Sequence, residues 1–280
     1  MSNKELLNNI KKLRELTGVG FKDCKLAIDA SGGDIEKSIE FLRKKGIAKA
    51  SKKMSRTASE GLALINEKNG EISIIEINSE TDFVAKNKDF ISFCKEISEI
   101  CFNEKANLDK IQSAKMKNGN NVKDNLVDLI AKIGEKITLR RAKFFNKDDG
   151  ENFSYVHSAI ENNIGKIISI IKLNKSEKNK EIGVKLAMHV AASNPLALEE
   201  KNLKKEIIDK ELEIIKEELI NSGKKPDMID KISRGKLNKF ISENTLLNQV
   251  WIIDPKMKVS DILKDGKVLD FVRYKVGEGI

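Results

Sequence analysis

The sequence has few of the residues that build metal or redox sites. Its 280 residues include two histidines and three cysteines, and only 5% of them are aromatic. Two histidines and the scattered Cys24, Cys94 and Cys101 cannot supply a metal cluster, so we expect no metal site. The cysteines form no C-x-x-C pair, and an odd, sparse count is typical of the reducing cytosol. We therefore expect a cytoplasmic protein whose thiols are buried and unreactive.

Motifs of nucleotide binding and of covalent catalysis are also absent. The chain holds neither G-x-x-x-x-G-K-[ST] nor a G-x-G-x-x-G after a predicted strand, so we expect no direct nucleotide binding and no cofactor. No nucleophile, base and orienting group emerge together, which makes a hydrolase using Cys24 or His157 the weakest functional class. His189 lies in a helical pattern, where a hydrogen-bonded core or interface histidine is favoured over a general base. We expect that the protein is not an enzyme.

Long apolar runs are missing as well. No run approaches the roughly 18 apolar residues of a membrane span, and no apolar segment follows a basic N-terminal region, so we expect neither a membrane partner nor a signal peptide. The formal net charge of +9 favours acidic partners. However, only seven of the 52 basic residues are arginine and 43 acids are interspersed, which is typical of a mixed, solvated surface. We therefore expect no specific nucleic acid, and keep a basic RNA- or ribosome-binding protein as the alternative function.

Residues 1–46 have the pattern of a small three-helix bundle. Thr17–Gly20 and Gly32-Gly33 break the helical periodicity, Asp34 can cap the third helix, and Gly46 is predicted to end it. The apolar positions of the three helices are Leu6, Ile10 and Leu13, then Phe21, Cys24, Ala27 and Ile28, then Ile35, Ile39 and Leu42. This pattern resembles that of ubiquitin-associated bundles. Residues 47–57, with four basic side chains, are predicted to be a solvated linker.

Two later stretches, residues 67–78 and 161–174, have related sequences. Each has an Asn and Gly turn followed by Ser-Ile-Ile, a charged residue, an aliphatic residue and Asn. Asn69-Gly70 is a strong hairpin signal, because both turn positions tolerate positive φ. Each turn follows a predicted strand, and each second strand precedes a predicted helix. The core is therefore predicted to hold two copies of a hairpin plus a helix, with antiparallel sheets.

The region after the second copy changes character. Ile208, Leu212, Ile215 and Leu219 repeat at four, three and four, which is typical of a short heptad seam. Together with the preceding helix they are predicted to form an antiparallel helical hairpin. Trp251–Ile253 and Val268–Val276 are predicted to be closing strands. The predicted fold class is α+β, with the bundle at 1–46, the linker at 47–57, the first core half at 58–145, the second at 146–180 and 227–280, and the hairpin inserted at 181–226.

One short stretch, Thr81-Asp82-Phe83-Val84, lies between the second strand of the first hairpin and a predicted helix. Thr81 is predicted to cap a helix by accepting a hydrogen bond from its first turn. Two interpretations of Phe83 stay open. Phe83 and Val84 can fold back as a lid on the core, or Asp82 and Phe83 can form a tip that enters a partner. The second copy has Ser176–Asn179 in the equivalent place, and this asymmetry favours a function for the tip.

Four stretches, in order along the chain, resemble the bacterial elongation factor Ts family. They are Leu16-Thr17-Gly18-Val19-Gly20-Phe21-Lys22-Asp23-Cys24-Lys25, Thr81-Asp82-Phe83-Val84-Ala85-Lys86-Asn87, His189-Val190-Ala191-Ala192-Ser193-Asn194-Pro195 and Val276-Gly277-Glu278-Gly279-Ile280. The resemblance implies a guanine-nucleotide exchange factor for the translation GTPase elongation factor Tu, which it would bind in the GDP and nucleotide-free forms. It also implies that Thr81, Asp82, Phe83 and Val84 act near the phosphate and Mg²⁺ site of the GTPase.

The same resemblance implies that the bundle docks on the GTPase through the loop between its first two helices. The residues so implied are Leu13, Thr17, Gly18, Val19, Gly20 and Phe21. From the residues alone, Val19 and Phe21 can equally belong to the bundle core. His189 becomes a possible interface residue. Some members of the family continue into a C-terminal helical module, and we expect no such contact from a sequence that stops at Ile280.

Overall fold

The chain folds as two units of α-helices and antiparallel sheets. The computed structural model describes residues 3–17, 19–53, 55–264 and 266–280. The first unit comprises the residues up to Phe144, together with Ser158–Lys166 and Tyr274–Ile280. The second comprises Phe145–His157 and Ile167–Arg273. This arrangement confirms the predicted α+β class.

Three helices at the start of the first unit form the predicted bundle: α1 (Asn3–Thr17), α2 (Phe21–Ala30) and α3 (Ile35–Lys53). Asp34 accepts a hydrogen bond from the Lys37 amide at 3.0 Å and so caps α3, as predicted. The apolar core of the bundle includes Ile10, Leu13, Cys24, Ala27, Ile28 and Leu42.

Helix α3 does not end at Gly46, and this prediction was wrong. The helix continues to Lys53, so the first part of the predicted linker is helical. The physical reason is packing against α7 (Val122–Ile133). A Cβ at Gly46 would lie 3.2 Å from the Cβ of Ala131, so the glycine lets the two helices approach closely. The side chains of Lys49 and Lys52, which the linker prediction invoked, lie outside the described part.

The first sheet contains the predicted hairpin. Strands β1 (Glu60–Lys68) and β2 (Glu71–Ser79) pair antiparallel from Glu60↔Ser79 to Lys68↔Glu71. Asn69 and Gly70 form the turn with φ values of 54° and 80°, which is why this dipeptide was a reliable signal. Strands β3 (Ile137–Phe145) and β5 (Ile164–Gly165) complete the strand order β3-β2-β1-β5.

Helix α5 (Lys88–Asn103) packs on the first hairpin, and their contact forms the core of the first unit. The shorter helices of this unit are α4 (Asp82–Ala85) and α6 (Leu108–Ser113). Gly134, at φ 90°, ends α7. The most buried members of this core include Leu62, Leu64, Ile75 and Ile77 from the hairpin and Phe90, Cys94 and Ile97 from α5.

The second unit contains the other copy of the hairpin plus helix. Strands β4 (Glu151–His157) and β6 (Ile167–Leu173) pair antiparallel, and α8 (Glu177–Ser193) packs on them. Strand β7 (Val268–Lys275), which was predicted, gives the order β4-β6-β7. The connection between β4 and β6 differs from the Asn-Gly turn of the first copy. It runs over residues 158–166 and includes β5, which pairs with β1.

The predicted helical hairpin at 181–226 was assigned to the wrong pair of helices. The pair that forms it is α9 (Lys205–Asn221) and α10 (Pro226–Asn244). Helix α8 was the predicted partner of α9. Its Leu186 and Val190 are instead buried beside Ile171 of β6 in the core of the second unit. Gly223, at φ 71°, lies in the turn between the paired helices.

Trp251–Ile253 was predicted to be a strand, and this was also wrong. Trp251 is buried in the second core, whereas Ile252 and Ile253 are exposed, so the run does not pair with the sheet. It follows a 3₁₀ turn, Leu246–Asn248, and precedes α11 (Val259–Leu263). A further 3₁₀ turn, Glu200–Asn202, precedes α9. Within the described ranges, every helix is too short or too polar to cross a membrane.

Candidate functional site

The candidate site is the tip, Asp82 and Phe83, at the start of α4. The Phe83 side chain is 78% exposed, whereas Val84 and Ala85 are buried in the core of the first unit. The lid interpretation therefore holds for Val84 and is wrong for Phe83. A large apolar side chain that is exposed to this extent makes few of the contacts that would stabilise it in a core. This geometry is that of a residue free to contact a partner.

Asp82 is ionised and oriented by its neighbour on the helix. Its Oδ2 accepts a hydrogen bond from Nζ of Lys86 at 2.7 Å, one turn further on. This hydrogen bond holds the pKa of the Asp82 carboxyl below its ordinary value. The tip therefore presents an aromatic ring next to a fixed negative charge.

Thr81 occupies the N-cap position of α4, as predicted, but its hydroxyl does not cap the helix. The hydroxyl donates instead to Oε1 of Glu135 at 2.8 Å, and the Thr81 amide donates to Oε2 of the same carboxylate at 3.0 Å. The prediction of the cap bond was wrong because this distant acceptor takes the hydroxyl. The next helix, α5, does have a side-chain cap, because Asn87 accepts from the amides of Asp89 and Phe90.

Glu80 completes the support of the tip. Its Oε1 accepts from the Lys136 amide at 2.6 Å, and its Oε2 lies 3.2 Å from Nη1 of Arg56. Burial raises the pKa of Glu80, but the bonds from Lys136 and Arg56 outweigh burial and lower its pKa below the ordinary value. Sequence reasoning missed Glu80 and Glu135, because nothing local marks an acid that bonds a backbone more than fifty residues away.

A buried carboxylate holds the base of the strand that leads to the tip. Glu76 on β2 is fully buried and accepts from Nη1 of Arg140 at 2.9 Å, Nε of Arg141 at 2.6 Å and the Gly277 amide at 2.9 Å. Burial raises the pKa of Glu76, but these bonds and one from Asn78 together lower it. Sequence reasoning missed this network too, although a charge within an apolar strand was visible.

A family model described as Elongation factor TS matches residues 80–278. The chain belongs to the elongation factor Ts family. At the level of the family, this establishes a role in protein biosynthesis as an elongation factor that exchanges nucleotide on elongation factor Tu. The matched region begins at Glu80, after the first hairpin and directly before the tip, and it covers α5 and the second hairpin copy.

The second copy differs from the first at the position of the tip. Helix α8 begins at Glu177, directly after Ser176, and no separate short helix precedes it. Asn179 is buried and donates to the backbone oxygen of Asn174 at 2.5 Å. The equivalent position in the second copy is thus used for internal hydrogen bonds.

The bundle precedes the matched region, and its proposed docking loop has both exposed and buried parts. Phe21 is 46% exposed, while Val19 is half-buried against the bundle core. The Thr17 hydroxyl donates to the backbone oxygen of Leu13 at 2.7 Å, which fixes the start of the loop. Leu13 itself is fully buried, so it supports the loop and offers no surface to a partner. Gly18 lies outside the described residues.

His189 is a core histidine. It is fully buried, its Nε2 lies 2.9 Å from Oε1 of Gln249, and its ring stacks on Trp251 with centroids 5.2 Å apart. Burial lowers the pKa of His189, and the bond to Gln249 opposes this in part. Of the two interpretations of this histidine, the structure supports the core one, because a fully buried ring offers no surface.

The cysteines do not form a nucleophilic site. Cys24, Cys94 and Cys101 are buried, and burial raises the pKa of all three thiols, so they are protonated at neutral pH. His157 is exposed, and its Nδ1 lies 3.2 Å from the Tyr155 hydroxyl. Over the described part of the chain, no group of three or more His, Cys, Asp or Glu side chains is placed to hold a metal ion.

Proposed function

We propose that this chain is a guanine-nucleotide exchange factor that binds elongation factor Tu and promotes release of its GDP. The observation that carries the proposal is the exposure of Phe83 on a hydrogen-bonded base, next to an ionised Asp82. A role in translation elongation implies that it works in the cytoplasm.

The mechanism we propose is displacement of the elements that order the GTPase's phosphate and Mg²⁺ site. GTPases hold GDP through phosphate contacts and Mg²⁺, so an aromatic wedge that moves those elements weakens nucleotide binding. Linkage then requires that bound nucleotide weakens the factor to the same extent, so the factor binds the nucleotide-free form more tightly than the GDP form. No covalent bond is made or broken, and the factor needs no cofactor.

The bundle is the second contact we propose. Phe21, half-exposed at the start of α2, and the loop before it would dock on the GTPase domain while the tip acts on the nucleotide site. Two separated contacts on one chain raise the effective concentration of the tip at its site.

The test is release of labelled GDP from elongation factor Tu, followed by stopped flow with and without the full-length protein. The expected result is an acceleration that saturates with the concentration of factor. An unchanged release rate, at concentrations where a pull-down shows binding, contradicts the proposal.

The alternative function, RNA or ribosome binding, predicts a different dependence on salt. A phosphate binder loses on the order of 10³-fold or more in affinity between about 50 and 200 mM salt. An interface anchored by an aromatic side chain loses much less. A steep salt dependence of binding to ribosomes, together with unchanged GDP release, would favour the alternative.

A further inference from the structure

The start of α4 is held by a pair of reciprocal contacts, which we call the clasp. The Glu135 carboxylate accepts both donors of Thr81, its amide and its hydroxyl, at 3.0 and 2.8 Å. In return the Glu80 carboxylate accepts the amide of Lys136 at 2.6 Å. Two turns that are distant in sequence, 80–81 and 135–136, therefore bind each other's backbone through charged side chains. Hydrogen bonds to an ionised acceptor are roughly twice as strong as neutral ones.

The connector from the bundle reaches the same clasp. Nζ of Lys53, the last residue of α3, donates to the backbone oxygen of Gly134, and Arg56 pairs with Glu80. The Lys136 ammonium donates to the backbone oxygen of Arg56 at 2.8 Å. The clasp is thus fixed from three segments.

Helix α4 needs such a support because it is too short to hold itself. Four residues form a single turn, and an isolated turn is unstable in water. Its C-terminal half is held by the burial of Val84 and Ala85. Its N-terminal half, which carries Asp82 and Phe83, is mostly exposed and is held through Thr81.

We propose that Glu135 is a positioning residue for nucleotide exchange: its carboxylate fixes Thr81 and thereby sets the direction in which Phe83 projects. This proposal rests on the proposed function. Glu135 acts through Phe83 and does not itself enter the partner's nucleotide site. A tip that is ordered before binding loses less conformational entropy when it engages, so removing the support weakens engagement without removing the wedge.

The conservative variant separates hydrogen bonding from charge. In Glu135→Gln the amide oxygen still accepts from the Thr81 backbone, and the Thr81 hydroxyl can turn to accept from the new amide nitrogen. In Glu135→Ala both donors of Thr81 lose their partner. We expect about a tenfold rise in the concentration of factor needed for half-maximal GDP release in the Ala variant, and a change of about threefold or less in the Gln variant. Glu161→Ala is the matched control, because Glu161 is a half-exposed acid of the same unit that pairs with Lys95.

The first experiment is a double-mutant cycle on GDP release with Glu135→Ala, Phe83→Ala and the double variant. If Glu135 acts through Phe83, its removal changes the residual activity of the Phe83→Ala protein by less than about twofold. Effects that multiply across the cycle overturn the proposal, because Glu135 would then act by some other route. The Glu161→Ala protein should match the wild type.

The second experiment needs no partner and measures amide hydrogen exchange of the free protein. In Glu135→Ala, the amides of Lys86 and Asn87, which donate to the backbone oxygens of Phe83 and Val84 across α4, should exchange at least about tenfold faster, while those within α5 stay unchanged. Unchanged exchange at Lys86 and Asn87 overturns the positioning role whatever the activity. If the wild-type protein does not accelerate GDP release, the proposed function is wrong. The hydrogen-exchange result then still shows whether Glu135 holds the tip.

Discussion

At the scale of the residue, Phe83 and Phe90 make a matched pair. They lie seven residues apart, and one is 78% exposed while the other is fully buried. We predict that Phe83→Ala changes the free energy of unfolding by less than about 1 kcal/mol and slows GDP release by roughly thirtyfold or more, from about 2 kcal/mol at an interface anchor. Phe90→Ala should destabilise the protein by about 3–5 kcal/mol. Chemical denaturation measures the free energy of unfolding of each variant, and stopped flow measures the rate of GDP release. A Phe83→Ala protein that unfolds easily, or that exchanges at the wild-type rate, is incompatible with the wedge.

His189 gives a residue-scale prediction about pH. Because burial holds its pKa below the value of about 6.5 that it has when unfolded, the unfolded state takes up a proton first as pH falls. Its stabilising contribution is complete above pH 6.5 and is lost as pH falls towards the lower folded pKa, with a slope of up to about 1.4 kcal/mol per pH unit.

The measurement is urea unfolding between pH 7.5 and 5.5. His189→Gln should remove most of this slope, and His157→Gln, which changes an exposed histidine, should retain it. Equal slopes in the wild type and the His189→Gln protein would show that the buried imidazole is not the group responsible.

At the scale of the element, two glycines within helices have different reasons to be there. Gly46 of α3 lies against Ala131 of α7, whereas a Cβ at Gly235 of α10 would meet no atom within 4 Å. We predict that Gly46→Val destabilises the protein by about 1–3 kcal/mol, because the added groups push the helices apart. Gly235→Val should change stability by less than about 0.5 kcal/mol. Thermal and urea unfolding of the two variants compare them, and equal effects would refute the close approach of α3 and α7.

Helix α2 offers an element-scale test of docking by the bundle. Phe21 and Leu26 are exposed to similar extents on this helix, but five residues of helix place them on different faces. Phe21→Ala should weaken binding to the GTPase by about tenfold or more, whereas Leu26→Ala should not, and neither should change stability by more than about 1 kcal/mol. Calorimetric titration measures the affinities. Similar losses of affinity in both variants would show that the docking surface is not centred on the loop.

At the scale of the whole molecule, Glu76 connects strand β2 with strand β3 and with the C-terminal segment of the first unit. Removing one partner of a buried ion pair typically costs about 3–5 kcal/mol, so we predict a loss of that order for Glu76→Ala at neutral pH. Since the folded pKa of Glu76 lies below its ordinary value, its contribution is present above about pH 4.5 and is lost as pH falls through the folded pKa.

The wild type and the Glu76→Ala protein should therefore converge in stability below about pH 4.5. Asp82→Asn is the control, because Asp82 also has a lowered pKa but is half-exposed on the tip. Its unfolding curve should follow that of the wild type across the same pH range. A constant difference between wild type and Glu76→Ala down to pH 3 would mean that the carboxylate charge is not what stabilises the network.

The structural features that were predicted correctly are determined by residues close together in the sequence. The Asn69-Gly70 turn follows from the positive φ that both residues tolerate. The cap at Asp34 follows from the side-chain oxygen that this residue type offers to the first turn of a helix. The repeat of the hairpin plus helix was visible because both copies retain the same order of residues.

The errors concern contacts between distant segments. The heptad seam of α9 showed an apolar face but not which helix would cover it. The backbone preference of Gly46 is the same whether the glycine ends a helix or allows a second helix to approach. Its contact with Ala131 of α7, which is distant in sequence, distinguishes the two roles. Thr81 has the residue type of a cap, yet Glu135, more than fifty residues away, takes its hydroxyl. Such choices are made by tertiary packing, which a local pattern does not contain.

The burial of the cysteines has a consequence for kinetics. Cys24 lies in the bundle core, and Cys94 and Cys101 lie in the core beneath the first hairpin. A thiol reagent can react with them only while the surrounding side chains are transiently open, so the labelling rate equals the opening equilibrium constant multiplied by the rate for a free thiol. The labelling rate of Cys24 therefore reports the opening of the bundle. The labelling rates of Cys94 and Cys101 report the opening of the core that supports Phe83.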